Sequence, residues 1–373
     1  MENASATRHV AWLRNLMSQR GYDAVVVRNN ADIRWLTGAA RVMDDEVAHT
    51  VFVTSDGLWL HTDSRYYNAF VTRLGDDDAW KVDMDPVDHA SWVAARAGQV
   101  RVRVLAVEDT LTLAFYERLC RALSDASLAC AMPRMHGDIV EARSVKDDGE
   151  IAAMRAAQAV TDRAFSHMCE VIRPGLTEMQ LRAELDNFML SNGADALAFD
   201  SIVASGPNSA NPHAKPGARV VESGDFVLMD FGAALGDYRS DMTRTVCVGE
   251  PSRQQREIYD LVRSVNEACE AYAKPGLLGR QVHELAVRMI SDAGYGDCFG
   301  HGLGHGVGID IHEEPRFSAR DGHVLVPGNV VTVEPGVYLP GVGGVRLEDF
   351  GVITANGYEP FTQSSHELVV LPG

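Results

Sequence analysis

The chain repeats itself within its second half. A helical apolar stripe (Phe165, Met168, Cys169, Ile172) runs into Arg173-Pro174-Gly175-Leu176. About one hundred residues later a second stripe (Val265, Ala268, Cys269, Tyr272) runs into Lys274-Pro275-Gly276-Leu277. Each Pro-Gly pair ends one helix and introduces another, because proline cannot continue the helix and glycine takes the cap conformation. The first new helix opens on Thr177 and Gln180, the spacing of a capping box, and offers Leu181, Leu185, Phe188 and Met189 for burial. Its copy offers Val282, Leu285, Met289 and Ile290. Gly224-Asp225 then leads the apolar run FVLMD, and Gly328-Asn329 leads VVTVE. A unit that occurs twice must bury the same face twice. Two helices followed by a hairpin, repeated about a pseudo-twofold, predict one curved antiparallel sheet with the helices on its outer face.

Both hairpins carry paired carboxylates. Asp230 and Asp241 flank a Gly-Asp-Tyr turn in DFGAALGDYRSD, and Glu334 and Glu348 flank a turn in EPGVYLPGVGGVRLE. Folding each about its midpoint sets Asp230 opposite Asp241 and Glu334 opposite Glu348. Like charges facing each other destabilise a sheet, and buried carboxylates need partners, so the pattern asks for cations. On the returning strand Asp241, Thr243 and Thr245 share a face, which makes either threonine a candidate hydrogen-bond donor to a metal-bound carboxylate.

Residues 300, 302, 304, 306 and 308 are all glycine, alternating with His301, Leu303, His305, Val307 and Ile309. Glycine is costly in a helix, so the segment is extended, with one bare face open to close approach by another element or by substrate. His301 and His305 share the other face. His305 supplies the imidazole nitrogen that manganese, cobalt, zinc or iron accept and magnesium or calcium rarely use. The segment has no P-loop lysine and no helix start, so it is not a phosphate loop. His312 and His213 are lone loop histidines. Arg346, two residues before Glu348 on the same strand face, is placed to neutralise the carboxylates, and Arg316 reads as a loop charge.

The first part of the chain alternates helix and strand. Val10, Leu13, Leu16 and Met17 form a helical stripe, and strands are expected at 24–27, 50–54, 58–60 and 102–107, with a helix after Asp109. This is an α/β layer domain without chemistry of its own, suited to a lid or an oligomer contact. The polar run 143–148 reads as the linker to the second domain. A net charge of −18 disfavours nucleic acid and anionic membrane as partners. The six cysteines show no metal or redox spacing. No apolar leader or spanning segment is evident, so a cytoplasmic location is expected.

The segments SIVASGPNSANPHAKP, VLMDFGAALGDYRSDMTRT, FGHGLGHGVGIDIHEEPR, VVTVEPGVY and GGVRLEDFGVIT resemble the pita-bread metallopeptidases, and among them the Xaa-Pro dipeptidases (prolidases) and the related Xaa-Pro aminopeptidases. The resemblance implies an α/β N-terminal domain over 1–139 and an α+β pita-bread catalytic domain over 140–373. It places five metal ligands on Asp230, Asp241, His305, Glu334 and Glu348, and the general acid/base on Glu334. It places contacts to substrate or to the tetrahedral intermediate on His213, His301 and His312, and capture of a substrate carboxylate on Arg316; Arg346 is the further candidate for substrate contact. The implied cofactor is two divalent ions, manganese first, with cobalt or zinc as alternatives. The implied partners are short proline-containing peptides and a second copy of the chain in a homodimer. The competing readings are an aminopeptidase acting on longer peptides, a metal-free creatinase-type hydrolase, and a non-catalytic binding module. The last two lose ligands that this chain keeps.

Overall fold

A computed structural model describes residues 2–75 and 79–373. The chain divides into two compact units, Met1–Arg143 and Ser144–Gly373. The division falls after Arg143, inside the polar run 143–148 expected to link the two domains. Helix α6 (Asp138–Ser144, numbered in chain order with those below) runs through the expected junction, and Arg143 Nη1 donates to Asp32 Oδ1 at 2.7 Å, both side chains buried. The expected linker is polar without being solvated. Ser144 and Lys146 are buried, Asn329 Nδ2 donates to the Ser144 carbonyl at 3.0 Å, and Lys146 N–H donates to the Gly328 carbonyl at 2.8 Å.

The first unit is a five-stranded mixed sheet, β1 (Ala24–Val27), β2 (Thr50–Thr54), β3 (Leu58–His61), β4 (Trp80–Asp83) and β5 (Leu105–Val107), ordered β4-β3-β2-β1-β5. Its helices are α1 (Glu2–Arg20), α2 (Asn30–Thr37), α3 (Tyr67–Leu74), α4 (His89–Gln99) and α5 (Leu113–Asp125). The interior strand β1, between β2 and β5, is the apolar run Ala24–Val27, buried throughout as expected of a strand covered on both faces. Helices α4 and α5 bury Trp92, Val93, Phe115, Leu119 and Leu123 against Ala24, Val26, Phe52 and Leu105.

The second unit is the duplicated one. Its first half holds α7 (Asp148–Val171), α8 (Glu178–Ser191), β6 (Ala196–Leu197), β7 (Ile202–Ser205), β8 (Phe226–Phe231), β9 (Ala233–Leu235), β10 (Tyr238–Arg239) and β11 (Met242–Val248). Its second half holds α9 (Arg253–Tyr272), α10 (Gly279–Asp292), β12 (Gly304–Gly306), β13 (Glu313–Phe317), β14 (Val330–Val333), β15 (Gly336–Leu339), β16 (Gly343–Arg346), β17 (Asp349–Thr354) and β18 (Gly357–Pro360). The last strand, β19 (Val370–Leu371), returns to β11. The repeat is visible bond for bond. Gly175 N–H donates to Val221 O at 3.0 Å and Gly276 N–H to Leu325 O at 2.9 Å; the bridge Thr177↔Val220 is matched by Leu278↔Val324. Gln180 and Gln281 each accept the N-cap N–H of their helix, at 2.9 and 2.8 Å. The stripes align one residue later than their apolar pattern suggests: the C-cap Ile172 corresponds to the C-cap Ala273, and Met168 to Cys269. Tyr272 lies outside the core, because the cap geometry fixes the correspondence.

The two helix pairs cover the sheets from outside. Phe165, Met168, Leu181 and Leu185 pack on Val203, Val227, Met229 and Val246. Val262, Val265, Val282 and Ile290 pack on Val331, Val333, Val345 and Ile353. The halves join at an antiparallel bridge, Thr243↔Glu348.

The first hairpin corrects the expected register. Its turn is the two-residue Gly236-Asp237, with φ of 58° and 68°, the mirror-image turn that suits a twisted hairpin. Every partner therefore shifts by two residues: Tyr238 faces Leu235 and Thr243 faces Asp230, so Asp241 is diagonal to Asp230 on the same face instead of opposite it. The second hairpin keeps the expected register on both sides of its carboxylates, with Val333 facing Asp349 and Gly336 facing Arg346. Glu334 and Glu348 fall opposite each other between those pairs.

Candidate metal centre and active site

Asp230 is the penultimate residue of strand β8, Asp241 precedes β11, His305 lies in β12, and Glu334 and Glu348 stand between the two parts of the second hairpin. All five line one cavity of about 560 Å³ in the second unit, together with His213, His301, His312, Arg316 and Arg346. Side chains that are scattered in the sequence thus converge on one space.

The bare glycine face explains how His305 gets there. A Cβ on Gly304 would lie 2.0 Å from the Thr332 carbonyl oxygen, and one on Gly306 would lie 2.4 Å from that of Glu314. The close approach is by neighbouring strands, not by substrate at these two positions. It presses β12 into the sheet with His305 on the cavity side. His305 Nδ1 lies 3.0 Å from the Gly306 carbonyl, which can only accept, so Nδ1 carries the proton. Burial, reinforced by His312, lowers the His305 pKa to about 3, so the ring is neutral. Its Nε2 lone pair then faces carboxylate oxygens, Glu334 Oε1 at 3.4 Å and Asp241 Oδ2 at 3.6 Å. Acceptors set against acceptors need a cation between them.

The other donors agree. Asp241, His305 and Glu348 each bring a ligand atom within 4.8 Å of the others. Asp230 Oδ1 is buried and, among the described residues, has no hydrogen-bond partner. Burial, with Asp230 and Glu334 nearby, raises the Asp241 carboxyl well above its usual range; burial, with Asp241, Glu334 and Asp230, does the same to Glu348. Burial, opposed by Arg346 and aided by Asp230, pushes Glu334 up to about 7. The residues present fit divalent metal ions held by four carboxylates and one imidazole.

Surrounding residues fix these groups. Thr243, not Thr245, donates to a carboxylate, Glu348 Oε2 at 2.7 Å; Thr245 donates to the Arg346 carbonyl. Thr332 Oγ1 accepts the His305 N–H at 3.0 Å and lies 3.3 Å from Glu334 Oε1. Arg346 is buried, with Asp230 Oδ2 at 2.6 Å, Tyr338 Oη at 2.8 Å and Thr243 Oγ1 at 3.0 Å. These contacts commit its guanidinium to the carboxylates and their supports. Tyr338 escaped the sequence reading, although period-2 alternation from Glu334 puts it on the same face. Arginine can only donate, so Tyr338 accepts from Arg346 and its own O–H donates to His301 Nε2 at 3.0 Å. His301 Nδ1 lies 2.7 Å from the Gly302 carbonyl, so both of its ring nitrogens are engaged. Burial, then Arg346, lowers its pKa to about 4. His312 presents its ring edge-on to His305, centroids 4.4 Å apart. His213 and Arg316 are exposed at the cavity, and Arg316 is the register partner of His305.

Residues 152–355 match the model of metallopeptidase family M24, and residues 10–145 match the creatinase/prolidase N-terminal domain. The chain belongs to metallopeptidase family M24. It is 33% identical to a Xaa-Pro dipeptidase of Pyrococcus horikoshii over 95% of this chain and 96% of that one. A solved Xaa-Pro dipeptidase from Bacillus anthracis superposes with a TM-score of 0.90 at 35% identity, covering 98% of this chain and all of that one. The X-Pro aminopeptidase of Thermotoga maritima gives 0.85 at 32% identity, covering 94% and 98%. The fold is the pita-bread fold with its N-terminal companion domain, and the M24 protein is a metal-dependent hydrolase. No helix among the described residues is long and apolar enough to cross a membrane.

Proposed function

We propose that this M24 protein is a dinuclear Xaa-Pro dipeptidase. The observation that carries the reading is the neutral His305 aiming its Nε2 lone pair at Glu334 and Asp241, in a cavity that also holds Asp230 and Glu348. Two divalent ions held by these five side chains would supply Lewis acidity toward a peptide carbonyl and acidify a water at neutral pH. Carboxylate-rich ligation favours manganese, with cobalt or zinc as substitutes. Glu334 takes the proton of the attacking water and returns it to the leaving nitrogen. That nitrogen is the tertiary amide nitrogen of proline, which leaves only when protonated. His312, at the cavity beside His305, is the donor to the developing oxyanion. His301, both nitrogens engaged, shapes the wall with Tyr338. Arg316 captures the carboxylate of a short substrate through a charge-assisted bond, and His213 lines the same approach.

The test compares Xaa-Pro with Xaa-Pro-Yaa hydrolysis by the manganese-loaded protein. Dipeptides should be cleaved well, tripeptides less well and non-proline bonds poorly, and Arg316→Ala should raise KM for dipeptides alone. Faster cleavage of Xaa-Pro-Yaa, with no effect of Arg316→Ala, makes the protein an aminopeptidase.

A further inference from the structure

We propose that Lys146 and Glu313 are positioning residues for this reaction: their buried ion pair fixes the 308–313 segment and thereby sets the imidazole of His312 at the cavity. The proposal rests on the reading of His312 as a group that meets the substrate.

Lys146 Nζ and Glu313 Oε2 are 2.9 Å apart, with side chains 1% and 3% exposed. A buried ion pair is weak evidence for stability, because desolvation offsets its attraction and well-packed apolar residues often serve as well. The geometry shows what this pair does instead. The other carboxylate oxygen, Glu313 Oε1, accepts the Asp310 N–H at 3.0 Å, which closes the segment on itself. The carboxylate also lies against bare backbone: a Cβ on Gly308 would meet Glu313 Oε2 at 2.5 Å and Oε1 at 2.6 Å. Arg239 ties down the far side, its N–H donating to Gly308 O at 2.9 Å and its Nε to Ile309 O at 2.8 Å. His312 is the next residue before Glu313 and is itself exposed at the cavity. Its place beside His305 therefore depends on where the Glu313 carboxylate is held. Lys146 in turn is held by the backbone, through the bridge Val145↔Asn329 and its own N–H on Gly328 O at 2.8 Å. An ammonium on a fixed stem gives the carboxylate a defined location that an apolar neighbour would not.

A double-mutant cycle tests this with the full-length, manganese-loaded protein on a Xaa-Pro dipeptide. Glu313→Gln should lower kcat by about tenfold to a hundredfold, the scale on which a misplaced group costs rate. KM should stay within about twofold, since the loss lies in the transition state. In a His312→Ala background Glu313→Gln should cost nothing further, because the two act through one group. Gly308→Ala, which pushes the carboxylate aside while leaving both charges present, should reproduce the loss and carries the cycle if Glu313→Gln does not fold. Unchanged kcat in a folded Glu313→Gln, or a loss that multiplies with that of His312→Ala, overturns the proposal and leaves the dipeptidase reading standing. If His312→Ala alone costs nothing, the role given to His312 is wrong and the positioning proposal falls with it.

Discussion

At the scale of single residues, Glu334 and His305 should separate chemistry from metal retention. Glu334→Gln keeps one oxygen ligand and removes the base, so kcat should fall by at least about a hundredfold while metal stays bound. His305→Ala should instead lose metal on dialysis, as elemental analysis would record. Near-normal kcat in metal-loaded Glu334→Gln would refute the assigned role. In the first unit Glu108 offers a test of charge burial. Burial, aided by Asp32, raises its carboxyl to about 7 from the usual 4.5. The folded state thus binds the extra proton between these values, and stability is lost as the pH rises through them. By the usual 1.4 kcal/mol per unit the loss is at most roughly 3.5 kcal/mol. Glu108→Gln should therefore raise the thermal midpoint at pH 8 and give no gain at pH 4. An equal gain at both values would show that ionisation is not the cause.

At the scale of elements, the glycine-alternating strand carries a prediction that sequence alone could not rank. A Cβ on Gly304 meets the Thr332 carbonyl at 2.0 Å, whereas one on Gly300 meets nothing within 4 Å. Gly304→Ala should cost at least about 2 kcal/mol in urea unfolding of the metal-free protein, and Gly300→Ala less than about 0.5 kcal/mol. Equal costs would mean that the strand adjusts. The hairpins show why some of this was legible and some was not. Alternation placed Asp230, Asp241 and Thr243 on one face, and that parity survives a shift of register. Which residue faces which depends on the turn, and here Gly236 and Asp237 both take positive φ where a three-residue Gly-Asp-Tyr turn was expected. The polar run 143–148 does hold the division between the units, after Arg143, but only the fold shows Lys146 within it meeting Glu313.

At the scale of the whole molecule, the second unit collects carboxylates that oppose one another until a cation joins them. Asp241 and Glu348 are raised by burial and by their neighbours, and Glu334 to about 7. The metal-free fold should therefore lose stability as these groups ionise above their unfolded values. His305, lowered to about 3, acts in the opposite sense below about 6.5. Between pH 6.5 and 8 the carboxylates alone decide the sign. Manganese should then raise the thermal midpoint more at pH 8 than at pH 6.5, saturating near two ions per chain by elemental analysis. A shift independent of pH, or one ion at saturation with all five side chains intact, would argue against the dinuclear centre. The sequence by itself determined the duplication, the helix caps, the extended glycine strand and the five candidate ligands, because caps, periodicity and side-chain parity are local and repeat with fixed spacing. Only the tertiary structure decided that Asp230 faces Thr243, that Tyr338 joins Arg346 to His301, and that Lys146 reaches Glu313. These depend on which residues distant in the chain are brought within hydrogen-bond reach, and no local pattern encodes that.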